Sequence, residues 1–228
     1  MKIVLSIGGS SINPKGEPDL EFLKKIAHLI KDSKHEFGLV SGGGSTARAY
    51  ANAARTLGAS EYEADNVGIV STRQNAQLLI AALKGVQLDV CKTVLVDFDQ
   101  ARQVTNKVVV MGGTIPGITT DTDAVLLAEA IGAKRLVNIS NVSGIYNRDP
   151  RKNKNAKKFD KMSYDQLVNL AAKNDGRTAG THFVFDMLAC KLIARSNIET
   201  HFVDGSNMHD VKNAIEGKKH NGTVVASK

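Results

Sequence analysis

Short apolar runs alternate along this chain with longer stretches whose apolar positions recur every three or four residues. The runs read as buried strands at residues 3–7, 37–40, 107–111, 136–139 and 200–203, with a short strand at 94–96 and a last edge strand at 222–225. The stretches between them have helical spacing. Residues 19–30 place Leu20, Leu23, Ile26, Ala27 and Ile30 on one face, with Asp19 as cap. The alanine-rich segment 45–57 stops at Gly58, residues 60–83 form one or two helices ending at Gly85, and 122–131 stops at Gly132. Residues 98–104, 164–172, 184–195 and 209–215 complete the helices. Strand and helix in alternation predict an α/β fold, a mainly parallel sheet with helices on both faces.

Ligands of such sheets bind outside the carboxyl ends of the strands. Three glycine-rich turns lie at such ends: Gly8-Gly9-Ser10, Gly42-Gly43-Gly44, and Gly112-Gly113-Thr114 running on to Pro116, Gly117 and Asp121. Backbone amides bare of a Cβ close around phosphate, and a helix starting just after the turn adds its positive end. Three such turns on one rim predict a cleft for several phosphates, and hence phosphoryl transfer between two bound molecules. The Gly8 turn suits the phosphate being transferred. Arg48, one turn into the following helix, either reaches the cleft or lies solvated. Residues 114–121 offer three threonine hydroxyls around a tight turn and suit a polar, anionic small molecule; Asp121 or Asp123 caps the next helix. The segment 141–150 is either a plain hairpin or a nucleotide site, with Tyr146 against base or ribose and Asp149 accepting from ribose hydroxyls.

Composition narrows the class. The 228 residues fit one large domain or two lobes sharing a sheet, and 42% are hydrophobic. No stretch is long and apolar enough for a bilayer, and the chain opens on a strand rather than a leader, so a cytoplasmic protein without membrane partners is expected. The net charge of +7 points to phosphorylated ligands, nucleic acid or acidic lipid. Part of it crowds into Arg148, Arg151, Lys152, Lys154, Lys157, Lys158 and Lys161, where Phe159 alone is aromatic, so a solvated loop is expected rather than a nucleic-acid surface. Cys91 and Cys190 read as free thiols, and neither they nor the six histidines have metal-ligand spacing.

Together the motifs resemble the amino acid kinase superfamily, and within it the archaeal-type uridylate (UMP) kinases. The likeness runs along nearly the whole chain. It is carried by Ile7-Gly8-Gly9-Ser10, by Gly42-Gly43-Gly44 with Ala47-Arg48, by Thr72-Arg73-x-Asn75-Ala76, by the run from Met111 to Asp121, and by Asn141-Val142-x-Gly144-Ile145-Tyr146-x-x-Asp149-Pro150. The resemblance implies a three-layer αβα sandwich in a single domain, with residues 1–135 as the acceptor lobe and 136–228 as the ATP lobe. It implies ATP and UMP giving ADP and UDP in pyrimidine biosynthesis, with magnesium and no covalent intermediate, in a homohexamer. UMP would meet Gly43, Asp65 at the ribose, and Thr114, Ile115, Pro116, Gly117, Ile118, Thr119 and Thr120. ATP would meet Gly8, Gly9, Ser10, Gly44, Arg48, Ser140, Asn141, Tyr146 and Asp149. Arg48 and Asp186 would act on the phosphates. The same fold also serves isopentenyl phosphate, carbamate and amino acid acceptors, and a non-catalytic nucleotide-binding module is the other alternative. Three positions depart from the family. Ser6 stands where many members carry a lysine, leaving Arg48, Lys191 or magnesium to supply that charge. Ser140 stands where threonine is frequent, and Asp123 adds a carboxylate beside the substrate loop.

Overall fold

The computed structural model describes residues 1–150, 152–174 and 185–227. Its sheet has seven strands in the order β3-β2-β1-β4-β6-β7-β5. These are β1 (Lys2–Ile7), β2 (Glu36–Ser41), β3 (Val108–Met111), β4 (Arg135–Ser140), β5 (Lys161–Met162), β6 (Glu199–Asp204) and β7 (Thr223–Val225). β1 pairs in parallel with β2 and β4, β3 with β2, and β6 with β4, whereas β7 runs antiparallel to β6.

Side chains alternate across a strand, and the two faces of β1 show it. Ile3, Leu5 and Ile7 face a core completed by α2 (Leu20–Asp32), α4 (Glu61–Gly85) and α9 (Met208–Glu216), through Phe22, Ile26, Leu79, Ile80, Val211 and Ile215. Val4 faces the opposite core with α6 (Thr120–Ile131), α7 (Tyr164–Asn174) and α8 (Met187–Ser196), through Val125, Leu127, Leu167, Ala189 and Ile193. Helix, sheet and helix form the three expected layers. α3 (Gly44–Thr56) packs on α4 outside the first layer.

Several boundaries depart from expectation. Residues 60–83 belong to a single helix, α4, opened by a capping box in which Ser60 and Glu63 satisfy each other's backbone amides. Residues 94–96 form no strand, because Leu95 makes only an isolated bridge to Met111. Two elements were unforeseen, the single turn α1 (Gly9–Ile12) and the two-residue β5. The remaining helix is α5 (Phe98–Gln103). α6 begins at Thr120, and its cap is Thr119, whose hydroxyl accepts from the amides of Asp121 and Thr122. Asp121 and Asp123 therefore lie inside the first turn and cap nothing. α8 starts after its cap Asp186, while the expected start at Val184 lies outside the described residues, as does Arg151 of the basic run. Arg148, Lys152, Lys154, Lys157 and Lys161 are exposed, as a solvated loop requires. Both cysteines are free, Cys190 buried with its thiol pushed up by burial.

Candidate active site

β1 has β2 on one side and β4 on the other, so the chain reverses its direction of winding between β1 and β4. The loops leaving β1, β2, β3 and β4 emerge on one edge at that switch point, where open parallel sheets bind ligands. Gly8 is fixed there by its amide donating to the Ile139 carbonyl at 2.8 Å, and Gly42 by donating to that of Ile7 at 2.9 Å.

The glycines are required first by one another. A Cβ on Gly9 would lie 1.9 Å from the amide nitrogen of Gly44, and one on Gly42 2.6 Å from that of Gly9. The β1 and β2 loops thus stack backbone on backbone. Asn13 clamps them, its Nδ2 donating to Thr46 Oγ1 at 3.2 Å and its Oδ1 buried without a partner among the described residues. Asn75 of α4 donates to the Gly42 carbonyl at 2.8 Å. α3 has Gly43 as its N-cap and no side-chain cap, so its first-turn amides remain open to an anion.

The β3 loop is shut against α4 instead. The amide of Gly113 donates to Thr72 Oγ1 at 2.6 Å, and Arg73 donates to the carbonyls of Gly113 and Thr114, both at 3.0 Å. Further along, the amide of Gly117 donates to Asp65 at 2.9 Å, which ties the 114–120 loop to the start of α4. Gly117 has φ +87, a conformation glycine adopts without strain. Ile115 is exposed at the tip of this loop.

Three carboxylates gather at the start of α6. Ser6, on the even-numbered face of β1, donates to Asp121 Oδ1 at 2.9 Å. Asp186 accepts from the hydroxyls of Thr119 and Thr122 and, at 2.9 Å, from the amide of Ala189. Asp123 is buried beneath Thr114. Burial pushes Asp121 up to about 7, with like charge from Asp186 and Asp123 adding to it and the Ser6 hydrogen bond opposing. Burial likewise lifts Asp123 to about 6, against the Thr114 hydrogen bonds and the Arg73 charge. The lysine-free position on β1 is thus occupied by a neutral donor serving a carboxylate.

On the other side of the switch point, Ser10, Ser140 and Asn141 share a cleft of about 330 Å³ with Asp204, Gly205 and Ser206. The last three were not anticipated; their signal is the strand-then-Gly pattern already read at β1. Tyr146 and Asp149 lie beyond that cleft. The Tyr146 hydroxyl pairs with Ser143 Oγ at 2.7 Å, and the carbonyl of Asp149 accepts the amides of Lys152 and Asn153. Arg48 is exposed on α3 and Lys191 on α8, and neither pairs with Ser6. Arg73, Asn75 and Asn138, the last donating to Asp121 Oδ1 at 3.5 Å, were given no role from sequence; their partners lie 40, 33 and 17 residues away and leave no local pattern.

Phosphate-ready loops at the switch point of an αβα sandwich define a kinase of the amino acid kinase family, and the chain belongs to it: the family's model matches residues 1–204. Among its relatives, the uridylate kinase of Thermococcus onnurineus is 45% identical over 99% of both chains, and that of Archaeoglobus fulgidus is 43% identical over 99% of this chain and all of its own. The crystal structure of the Archaeoglobus fulgidus uridylate kinase superposes with a TM-score of 0.87 at 41% identity, covering 99% of this chain and 100% of the other. The UMP kinase of Bacillus anthracis shares the fold, with a TM-score of 0.82 over 100% of this chain and 96% of its own, at 22% identity.

Proposed function

We propose that this protein is a UMP kinase of pyrimidine nucleotide biosynthesis, which moves the γ-phosphoryl group of ATP to the phosphate of UMP and releases ADP and UDP. The observation that carries the reading is the meeting of the β1 and β2 glycine loops at the switch point, in a chain nearly half identical to uridylate kinases from end to end. An acceptor phosphate oxygen attacks the γ-phosphorus in line as the bridging oxygen leaves on ADP. Such a reaction asks the protein for position and charge rather than covalent chemistry.

In this reading residues 1–135, which build β1 to β3, form the acceptor lobe and also lend their glycine turns to the ATP phosphates, and residues 136–228, which build β4 to β7, form the ATP lobe. Gly43, Asp65 and residues 114–120 take UMP. Gly8, Gly9, Ser10, Gly44, Ser140, Asn141, Tyr146 and Asp149 take ATP, with Arg48 and Asp186 at the phosphates. The Thr119 hydroxyl is spent on the α6 cap and Asp186, so Thr119 meets UMP through its backbone. Magnesium suits this edge, whose donors are hard oxygens. Burial raises Asp121 most, and a cation near Asp186 would offset the smaller like-charge contribution. Among the described residues no group of three or more His, Cys, Asp or Glu could hold a metal ion by itself. Asp186 is the residue that would hold it; when bound, magnesium neutralises charge on the phosphate oxygens. Tyr50, Leu57, Tyr62 and Val70, all exposed on the α3–α4 hairpin, support self-assembly, and the hexamer is what the family resemblance implies. No helix among the described residues is long and apolar enough to cross a membrane.

A coupled ADP-release assay with ATP, magnesium and UMP, CMP or AMP tests the activity. Turnover with UMP is expected, and its absence at millimolar substrate removes the reading. Asp65→Ala is expected to raise the KM for UMP about tenfold and to leave that for ATP unchanged. Equal losses on both sides would mean that the two lobes are wrongly apportioned.

A further inference from the structure

Thr114 is held by the polar groups of two neighbouring side chains. Its amide donates to Asp123 Oδ2 at 3.2 Å and its hydroxyl to Asp123 Oδ1 at 2.6 Å, while its carbonyl accepts from Arg73 at 3.0 Å. Gly113 is fixed by Thr72 just before it. Asp123 is 1% exposed and Thr114 is half-buried. A carboxylate that takes both the N–H and the O–H of one residue leaves that hydroxyl with lone pairs and no hydrogen to offer.

We propose that Asp123 is a positioning residue that fixes the Thr114 hydroxyl as an acceptor and thereby selects an acceptor base with a ring N–H, uracil, over cytosine. The inference rests on the kinase reading and deepens it. A phosphate monoester dianion presents only acceptors, so an acceptor-only hydroxyl has nothing to bind there. The ribose hydroxyls are donors, but Asp65 serves them in the same reading. The remaining donor of UMP is the imide N3–H. Cytosine carries a lone pair at that ring position, and two acceptors facing each other leave both unpaired. Asp123 never touches substrate; it acts through Thr114 alone.

The test measures kcat/KM for UMP and for CMP in the wild type, Asp123→Asn and Thr114→Val. In Asp123→Asn the amide oxygen takes the Thr114 N–H and the amide nitrogen donates to Thr114 Oγ1, so the hydroxyl hydrogen turns towards the ligand. The ratio of UMP to CMP efficiency is expected to fall about tenfold or more, with the KM for ATP unchanged. Thr114→Val, which has no hydroxyl, is expected to lose about tenfold of the UMP preference, and Thr114→Ser to restore it. A packing role for Asp123 lowers both efficiencies together and leaves the ratio fixed; that result overturns the inference. If Asp123→Asn shows no cooperative unfolding transition, Thr114→Val carries the test alone, and an unchanged ratio there overturns the inference equally. A wild type that phosphorylates neither nucleotide overturns the kinase reading as well, whereas a wild type active on UMP with fixed ratios in both variants overturns this inference only.

Discussion

The Cα of Gly9 faces the backbone of Gly44 so closely that a single added methyl would sit 1.9 Å from the Gly44 nitrogen. Neither loop can retreat, because Asn13 and Asn75 tie both to α4. Gly9→Ala is therefore expected to destabilise the protein by about 2 kcal/mol or more, read by urea unfolding. Gly68→Ala, in the middle of α4 with open space around it, is expected to stabilise by about 0.5–1 kcal/mol. Equal effects from the two would dissolve the claim that crowding, rather than glycine content, sets the first.

Arg48 is exposed on α3 and makes no hydrogen bond or ion pair among the described residues. Arg48→Ala is expected to lower kcat about a hundredfold with little change in either KM, as for a charge that acts mainly on the transition state. Steady-state kinetics decide it, and an unchanged kcat returns Arg48 to the solvated surface.

Asp121 titrates far above an ordinary aspartate, at about 7 instead of 3.8, chiefly through burial. The folded state then binds a proton that the unfolded chain releases. Its contribution is fully present below the unfolded value and is lost as pH rises towards about 7. Asp121→Asn, which keeps an acceptor for Ser6, is expected to raise stability at pH 8 by about 2 kcal/mol and to flatten the decline over that window. Chemical denaturation of both proteins across the range checks the slope.

A histidine chain at the far end of the sheet has the opposite sign. His201 Nε2 meets Glu199 at 2.8 Å, and its Nδ1 meets His220 Nε2 at 2.8 Å, while His220 Nδ1 accepts the amide of Gly222 at 2.9 Å. Those directions require both rings to be neutral. Burial lowers His201 to about 4 and also lowers His220. Stability from His201 is present above its ordinary 6.5 and is lost as pH falls towards 4. The His201 ring signals are expected to stay in the neutral form at pH 5 by NMR; titration near 6.5 would contradict the network.

Much of the sheet was legible because burial on alternate faces prints a period of two, as Ile3, Leu5 and Ile7 against Val4 show. Helix stops were legible at Gly58 and Gly132, which take left-handed conformations at φ 93 and φ 71, but the like cap of α9 at Gly217 was not read. The cap of α6 was not, since Thr119, Asp121 and Asp123 all have capping chemistry and only the fold decides which one faces the amides. The glycine turns were found for half of their reason: sequence shows bare backbone, but not that the first claim on it comes from a second loop. The partnership of Ser6 with Asp121, 115 residues apart, leaves no trace at short range.

Helix α4 touches the loops of the β2 and β3 ends at three heights. Asp65 reaches the amide of Gly117, Thr72 and Arg73 hold residues 113 and 114, and Asn75 holds Gly42, while the last turns are rooted in the core through Leu79, Ile80 and Leu83. An unbroken rod of about 38 Å pivoting on its sunken end behaves as a lever. Any tilt of α4 about that end would displace all three contact points in concert, with the greatest travel at Asp65.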